Sequence, residues 1–294
     1  MESPRIGFVG FGEAGSLIAK GLAESGVDAI CAFDIHTATA ARGEVICNRA
    51  RAAGVELVET REQLTERSRI LISTVTADVA ETAVCQFAPN LGPAHLYADL
   101  NSVSPQVKRK LETVVIGRGA RFVEGAIMAS VPPHGHRVPI LLGGAAAPDF
   151  RDLMTPYGMQ LELASLQVGA AAATKMLRSI VIKGMEALLV ECMLGAQAYA
   201  AEEKVFASLA ESFPGIDWAK MADYMIRRVA VHGERRAREM EEVCETLRAV
   251  DVSPTMSAAT ARLMDWSAHF HFTERFDAGL PGNRESIIDV LLGK

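Results

Sequence analysis

Ile6-Gly7-Phe8-Val9-Gly10-Phe11-Gly12-Glu13-Ala14-Gly15 is the stretch that decides the fold. A short apolar run leads into G-x-G-x-x-G, and the helical pattern Leu17, Ile18, Leu22 follows. The next apolar run, Ala29-Ile30-Cys31-Ala32-Phe33, ends on an acid, Asp34. Strand, glycine turn, helix and a following acid are together the context in which this motif binds a dinucleotide. Gly10 permits the tight turn, Gly12 lets backbone approach a pyrophosphate, and Gly15 lets helix and strand pack closely. The phosphates are then expected at the start of the helix, on the N–H groups of Gly12, Glu13, Ala14 and Gly15, where the dipole favours negative charge. Asp34 is expected to accept hydrogen bonds from the adenosine ribose. The alternative is a glycine-rich strand–helix turn that binds nothing.

Working outward, the chain has 294 residues, room for one large domain or two ordinary ones, and 49% of it is apolar. The net charge of -6 is spread along the chain. No basic stripe with interleaved aromatics marks a nucleic-acid surface. The pattern from Leu166 to Ala201 is broken by Lys175, Arg178, Lys183, Glu186 and Glu191, so no membrane span is expected. No charged leader with an apolar stretch precedes the first strand. The five cysteines, Cys31, Cys47, Cys85, Cys192 and Cys244, lack metal-ligand spacing and read as buried thiols of a cytoplasmic protein.

Up to residue 165 short apolar runs alternate with helical patterns, the mark of a parallel sheet with crossover helices. Strands are expected at Val55-Val58, Arg69-Thr74, His95-Ala98, Ala120-Met128, Val138-Leu142 and Met159-Leu163. A helix is expected from Asp34 to about Ala53, and another from Ser104-Pro105, where serine caps and proline suits the first turn. From 166 to 294 the pattern is helical only. One long helix runs to about Ala201, followed by Ala201-Ser212, Ile216-Val231, Glu234-Ala249 and Thr255-Phe272. Phe213-Pro214-Gly215, His232-Gly233 and Ser253-Pro254 punctuate them. The fold class is therefore α/β. A doubly wound Rossmann domain (residues 1–165) is joined by a long helix to an all-α domain (166–294). Such second domains close the crevice over the substrate, so this one is expected to contribute substrate or catalytic groups.

Lys175 lies on the long helix after four alanines, and Ser179 follows one turn on, so their tips share a side. Small neighbours desolvate an ammonium and lower its pKa, and a lysine so shifted can exchange a proton with a hydroxyl. The plainer alternative is a lysine on a solvated face.

The arrangement resembles the β-hydroxyacid dehydrogenase family, which includes 3-hydroxyisobutyrate and 6-phosphogluconate dehydrogenases. Three blocks carry the likeness: the glycine turn, Asp99-Leu100-Asn101-Ser102-Val103-Ser104-Pro105, and the glycine-led helix with Lys175. The second is similar to the family's substrate-binding segment, its Asn-Ser pair being closest to the phosphogluconate branch. Gly233-Glu234-Arg235-Arg236-Ala237-Arg238-Glu239-Met240 resembles a phosphogluconate-dehydrogenase-like subgroup. The resemblance implies a hydride transfer between NAD(P) and a small hydroxy acid, with Lys175 as general acid/base. It implies substrate contacts from Asn101, Ser102, Ser130 and Ser179, with Asn101 also toward the nicotinamide ribose. Thr74 and Val75, following a strand's carboxyl end, are expected against the nicotinamide by the fold rule, the alternative being an ordinary strand end. The departures concern the substrate. Where members carry Ser-Gly-Gly this chain carries Ala129-Ser130-Val131, and Ser179 stands where they carry asparagine. The lysine–aspartate pair often found late in the helical domain is not evident.

Asp34, with no arginine at the next two positions, favours NAD over NADP, while His36 could tolerate a phosphate. His232, Arg235 and Arg236 are candidates for a substrate carboxylate or phosphate, against the reading of a solvated face with Arg235/Glu239 and Arg238/Glu242 pairs. His134 and Arg137 read as loop residues. An imine-reductase-like enzyme and a non-catalytic NAD(P)-binding sensor are the competing functions. No metal is expected. The partners expected are a small acidic substrate and further copies of the chain, as a homodimer or larger oligomer.

Overall fold

The computed structural model describes residues 3–276 and 283–293. The chain divides into two compact units, Met1–Lys175 and Met176–Lys294, the division falling inside the long helix.

The first unit is built on eight strands: β1 (Arg5–Val9), β2 (Ala29–Phe33), β3 (Glu56–Leu57), β4 (Ile70–Ser73), β5 (Leu96–Asp99), β6 (Arg121–Ile127), β7 (Ile140–Gly143) and β8 (Leu161–Ser165). Its helices are α1 (Glu13–Glu24), α2 (Gly43–Ala53), α3 (Arg61–Arg67), α4 (Ala80–Phe87), α5 (Pro105–Ile116) and α6 (Ala147–Met154), and it includes the start of α7 (Ala170–Ala198). The strand order is β3-β2-β1-β4-β5-β6-β7-β8, whose first six strands follow the doubly wound dinucleotide-binding order. The expected all-parallel sheet is corrected at one place, because β7 runs antiparallel to β6. A hairpin-like return over residues 128–139 replaces the crossover helix that a parallel partner would require.

Alternation along the strands splits the core into two layers. Ile6, Phe8, Ile70, Ile72, Leu96 and Ala98 face one side with α1 and α6. Val9, Leu71, Tyr97 and Phe122 face the other with α4 and α5. Both faces are buried, as parallel strands in a two-sided helical cover must be. Ser104 caps α5, its hydroxyl accepting from the Val107 N–H, with Pro105 in the first turn as read from the sequence. The helix expected directly after Asp34 starts only at Gly43, and residues 34–42 form turns instead.

The second unit holds the rest of α7 with α8 (Glu202–Ser212), α9 (Trp218–Arg248), α10 (Thr255–Ala268), α11 (Phe272–Arg275) and α12 (Arg284–Leu291). The two helices expected on either side of His232-Gly233 are found as the two segments of α9, which meet at a non-helical kink at His232 (φ -125, ψ 17). Gly233 is there for space: a Cβ would lie 2.8 Å from the Met264 carbonyl oxygen of α10. The glycine thus serves close helix packing next to the break. The helix expected over Thr255-Phe272 stops at Ala268, and His271 takes a left-handed conformation (φ 47) before α11. The core is Met193, Ile226, Met240, Val243 and Met264 with Ile287 and Ile288 of α12, a helix that the sequence pattern did not mark.

Among the described residues no helix is long and apolar enough to cross a membrane, and no cluster of side chains could hold a metal ion. The five cysteines are all free thiols, but they are not all buried: Cys85 and Cys192 are exposed.

Candidate functional site

The glycine turn opens a crevice of about 690 Å³ at the carboxyl ends of β1, β2 and β4. Gly10 has φ +82, a conformation glycine adopts without cost, and its N–H donates to the Phe33 carbonyl. A Cβ on Gly15 would lie 2.4 Å from Thr74 Oγ1, so only glycine lets α1 approach β4 this closely. A Cβ on Gly12 would meet nothing within 4 Å, and no side chain caps α1. Residues 12–15 therefore present backbone donors at a helix start, the arrangement that suits a pyrophosphate. Thr74 Oγ donates to the Gly10 carbonyl at 2.9 Å, which ties the end of β4 to the turn, and Val75 lines the crevice beside it. Asp34 lies on the crevice wall, with Oδ2 accepting from the Phe11 N–H at 2.8 Å and Oδ1 from the His36 N–H at 2.9 Å. Gly10, Gly12, Asp34, Thr74 and Val75 thus line one crevice, and Glu13, Ala14 and Gly15 form the helix start behind it. These residues fit NAD(P).

One polar row crosses the sheet on the face of Leu71 and Tyr97. Ser73 is in register with Asp99, Asp99 with Glu124, and Glu124 with Gly143. Asp99 is fully buried and pairs with Lys108 of α5, 1% exposed, at 2.5 Å. Lys108 also donates to the carbonyls of Asp99 and Gly125. The Asn101 amide donates to Asp99 Oδ2 at 2.6 Å and to Ser73 Oγ at 2.9 Å. A charged pair therefore sits directly behind the Asn101-Ser102 segment and fixes which way the amide points. Ser102 is half-buried beside it. Burial pushes the Tyr97 phenol, on the same face, well above its ordinary value, and the Asp99 charge adds to the shift.

The next residue in the row anchors the lysine helix. Glu124, fully buried in the middle of β6, accepts through Oε1 from the N–H groups of Gly169 (2.8 Å) and Ala171 (2.9 Å). A carboxylate at a helix N-terminus satisfies donors that no intrahelical carbonyl can reach, and its charge complements the dipole. Gly143 makes room for it, since a Cβ there would lie 2.3 Å from Glu124 Oε1. Lys175 stands half-buried in the second turn of this helix, within the same compact unit as the crevice. Ser179, also half-buried, follows one turn on.

Ser130 is exposed in the loop after β6. In the second unit His232, Arg235 and Arg236 do not form one cationic cluster. Arg236 is buried and holds Glu186 at 2.5 Å, while Arg235 is exposed and pairs with Glu239 at 2.7 Å. Burial, with Arg235 next in weight, holds His232 below its ordinary pKa and so neutral near pH 7. Arg238 reaches Glu241 at 3.6 Å. Burial raises Glu186 and lowers Lys183, each against the pull of its oppositely charged partners.

Sequence reading missed Glu124, Lys108 and the Glu186–Arg236 pair. Glu124 did carry a signal, a carboxylate in the middle of an apolar strand. Lys108 carried none, because its partner is nine residues back on another element.

A doubly wound sheet with an open glycine turn and a strand-end crevice defines a nucleotide-dependent oxidoreductase domain of the NAD(P) class. Residues 5–150 match the NAD binding domain of 6-phosphogluconate dehydrogenase, and residues 196–267 match a domain of unknown function, DUF1932. The chain belongs to the β-hydroxyacid dehydrogenase family, in the branch that joins these two domains. A conserved hypothetical protein from Sinorhizobium meliloti 1021 is 34% identical, over 98% of this chain and 96% of that one, with a TM-score of 0.81. A conserved protein described by its structural similarity to 3-hydroxyacid dehydrogenases is 30% identical, over 90% of this chain and 97% of that one, at 0.75. The Mycobacterium tuberculosis 3-hydroxyisobutyrate dehydrogenase, solved with L-serine, shares the fold at 15% identity, covering 98% and 99% of the two chains, with a TM-score of 0.73.

Proposed function

We propose that the protein transfers a hydride between NAD(P) and a small hydroxy acid or its carbonyl partner, with Lys175 as general acid/base. One observation carries this reading: the helix bearing Lys175 is bonded, through Glu124, to the sheet whose strand ends form the dinucleotide crevice. Bound NAD(P) supplies the redox chemistry, and the protein must orient the substrate and handle one proton. Residues 12–15 hold the pyrophosphate, and Thr74 and Val75 flank the nicotinamide half. Asn101 and Ser102 orient the substrate hydroxyl. In oxidation a neutral Lys175 takes the hydroxyl proton, and in reduction its ammonium returns a proton to the carbonyl oxygen. Ser179, one turn on, steadies the lysine or the substrate, with Ser130 as a further substrate contact.

A screen of hydroxy acids with NAD and NADP at alkaline pH, followed at the absorbance of the reduced nicotinamide, tests this reading. Turnover on at least one 3-hydroxy or sugar-derived acid is expected. Tight cofactor binding with no turnover on any substrate would favour the sensor.

A second copy of the chain is proposed as partner. Leu177, Val181 and Leu188 stand 49%, 61% and 58% exposed on the single chain and recur at helical spacing along one side of α7, and Tyr199, just past its end, is 87% exposed. Sedimentation at micromolar concentration is expected to show a dimer or larger even oligomer. Leu188→Glu with Val181→Glu is expected to shift it toward monomer, and a wild-type monomer would refute the proposal.

A further inference from the structure

The crevice carries more positive charge than a dinucleotide with a free ribose requires. Arg42, Arg49 and Arg61 all line it, against two carboxylates, Asp34 and Asp78. None of the three arginines forms an ion pair among the described residues. Arg61 lies over the Phe33 ring at 5.1 Å from its centre, and its Nε is buried without a hydrogen-bond partner. Arg42 donates to His36 Nε2 at 3.2 Å, which makes that nitrogen an acceptor and leaves the rest of the guanidinium fork to the crevice. It stands at the start of α2, where no side chain caps the helix.

Asp34 faces this cluster with its carboxylate already engaged. Each oxygen accepts from a backbone N–H, of Phe11 and of His36, so the acid closes the turn and part of its charge is answered there. The feature that favours an unphosphorylated ribose in the sequence is thus tied down, while three guanidiniums without an ion pair line the same crevice. Arginine is suited to phosphate because its fork donates in two-pronged fashion to the oxygens.

We propose that Arg42, with Arg49, forms a subsite for a phosphate on the adenosine ribose, so that NADP(H) is the preferred cofactor. The proposal rests on the reading of this crevice as the cofactor site and reverses the preference drawn from Asp34 in the sequence. The apolar side chains of Ile35, Val45 and Val79 line the same crevice and suit an adenine ring.

Calorimetric titration of the full chain with NADPH and NADH, and with 2′,5′-ADP and 5′-AMP, tests it at low and moderate salt. NADPH is expected to bind at least tenfold tighter than NADH, and 2′,5′-ADP tighter than 5′-AMP. The NADPH preference should shrink with added salt, as a phosphate–guanidinium contact does. In Arg42→Ala the ratio of the two dissociation constants falls at least tenfold. In Arg118→Ala, an exposed arginine in the loop after α5, the ratio stays as in wild type. Thermal melts of each variant establish that it is folded; should Arg42→Ala fail to fold, Arg42→Gln gives the same readout. NADH binding as tightly as NADPH, or Arg42→Ala weakening both alike, overturns the phosphate subsite and leaves the crevice a cofactor site. Binding of none of the four nucleotides overturns the cofactor site itself, and this proposal with it.

Discussion

Lys175→Ala is expected to lower turnover by about 10²–10⁴-fold, the usual contribution of a positioned acid/base, while NADPH and NADH still bind. The lysine is half-buried in the second turn of α7, and the start of that helix is fixed by two hydrogen bonds to Glu124. A methyl group in its place removes the proton carrier and leaves the crevice at β1, β2 and β4 as it is. Lys175→Arg is the sharper control. A guanidinium keeps the positive charge and much of the reach, but it does not lose its proton in a protein and so cannot act as a base. It should therefore be nearly as slow as alanine, and the loss should lie in kcat more than in KM for the cofactor. Steady-state rates on the best acid from the screen measure both. Turnover in Lys175→Ala within about threefold of wild type would remove the lysine from the chemistry.

Lys108→Ala carries the largest expected loss of stability. Asp99 is completely buried, and Lys108 is its charged partner at 2.5 Å. Removing the lysine leaves a carboxylate without a counter-charge in the interior, a change that costs about 3–5 kcal/mol. For a unit of this size that corresponds to a fall in melting temperature on the order of 10 °C. Two further acceptors, the carbonyls of Asp99 and Gly125, lose their donor at the same time. Replacing both charges, by Asp99→Asn with Lys108→Met, should recover most of the loss, since a buried pair swapped for neutral groups of similar volume is often close to neutral. Calorimetric melts of the single and double variants test this. A Lys108→Ala variant as stable as wild type would show that water reaches Asp99, and the description of a dry polar row would fail. In variants that fold, the Asn101 amide loses a fixed acceptor, so weaker cofactor or substrate binding should accompany the change.

Much of the nucleotide half was legible in the chain because its signals are local. Gly10, Gly12 and Gly15 each answer a constraint set within a few residues: a positive φ, an open backbone, a close approach. Asp34 ends the second strand as the motif requires, and Ser104-Pro105 starts a helix through contacts with its own first turn. His232-Gly233 reads as a break, and α9 is interrupted at His232, while Gly233 also serves the approach of α10, a partner distant in sequence. The antiparallel β7 was invisible because a strand's residues record burial, not direction.

By itself the sequence determined the order of elements, the glycine turn, and the division into a sheet-forming part and a helical part. Period, caps and turn residues act over one or two turns of chain, and they are written where they act. The tertiary structure alone decided which charges meet. Glu124 with the start of α7, Asp99 with Lys108, and Glu186 with Arg236 join residues 45, 9 and 50 positions apart. Only folding brought Arg42, Arg49 and Arg61 to the crevice around Asp34. Electrostatic contacts depend on distance through space and on exclusion of water, neither of which spacing along a chain can specify.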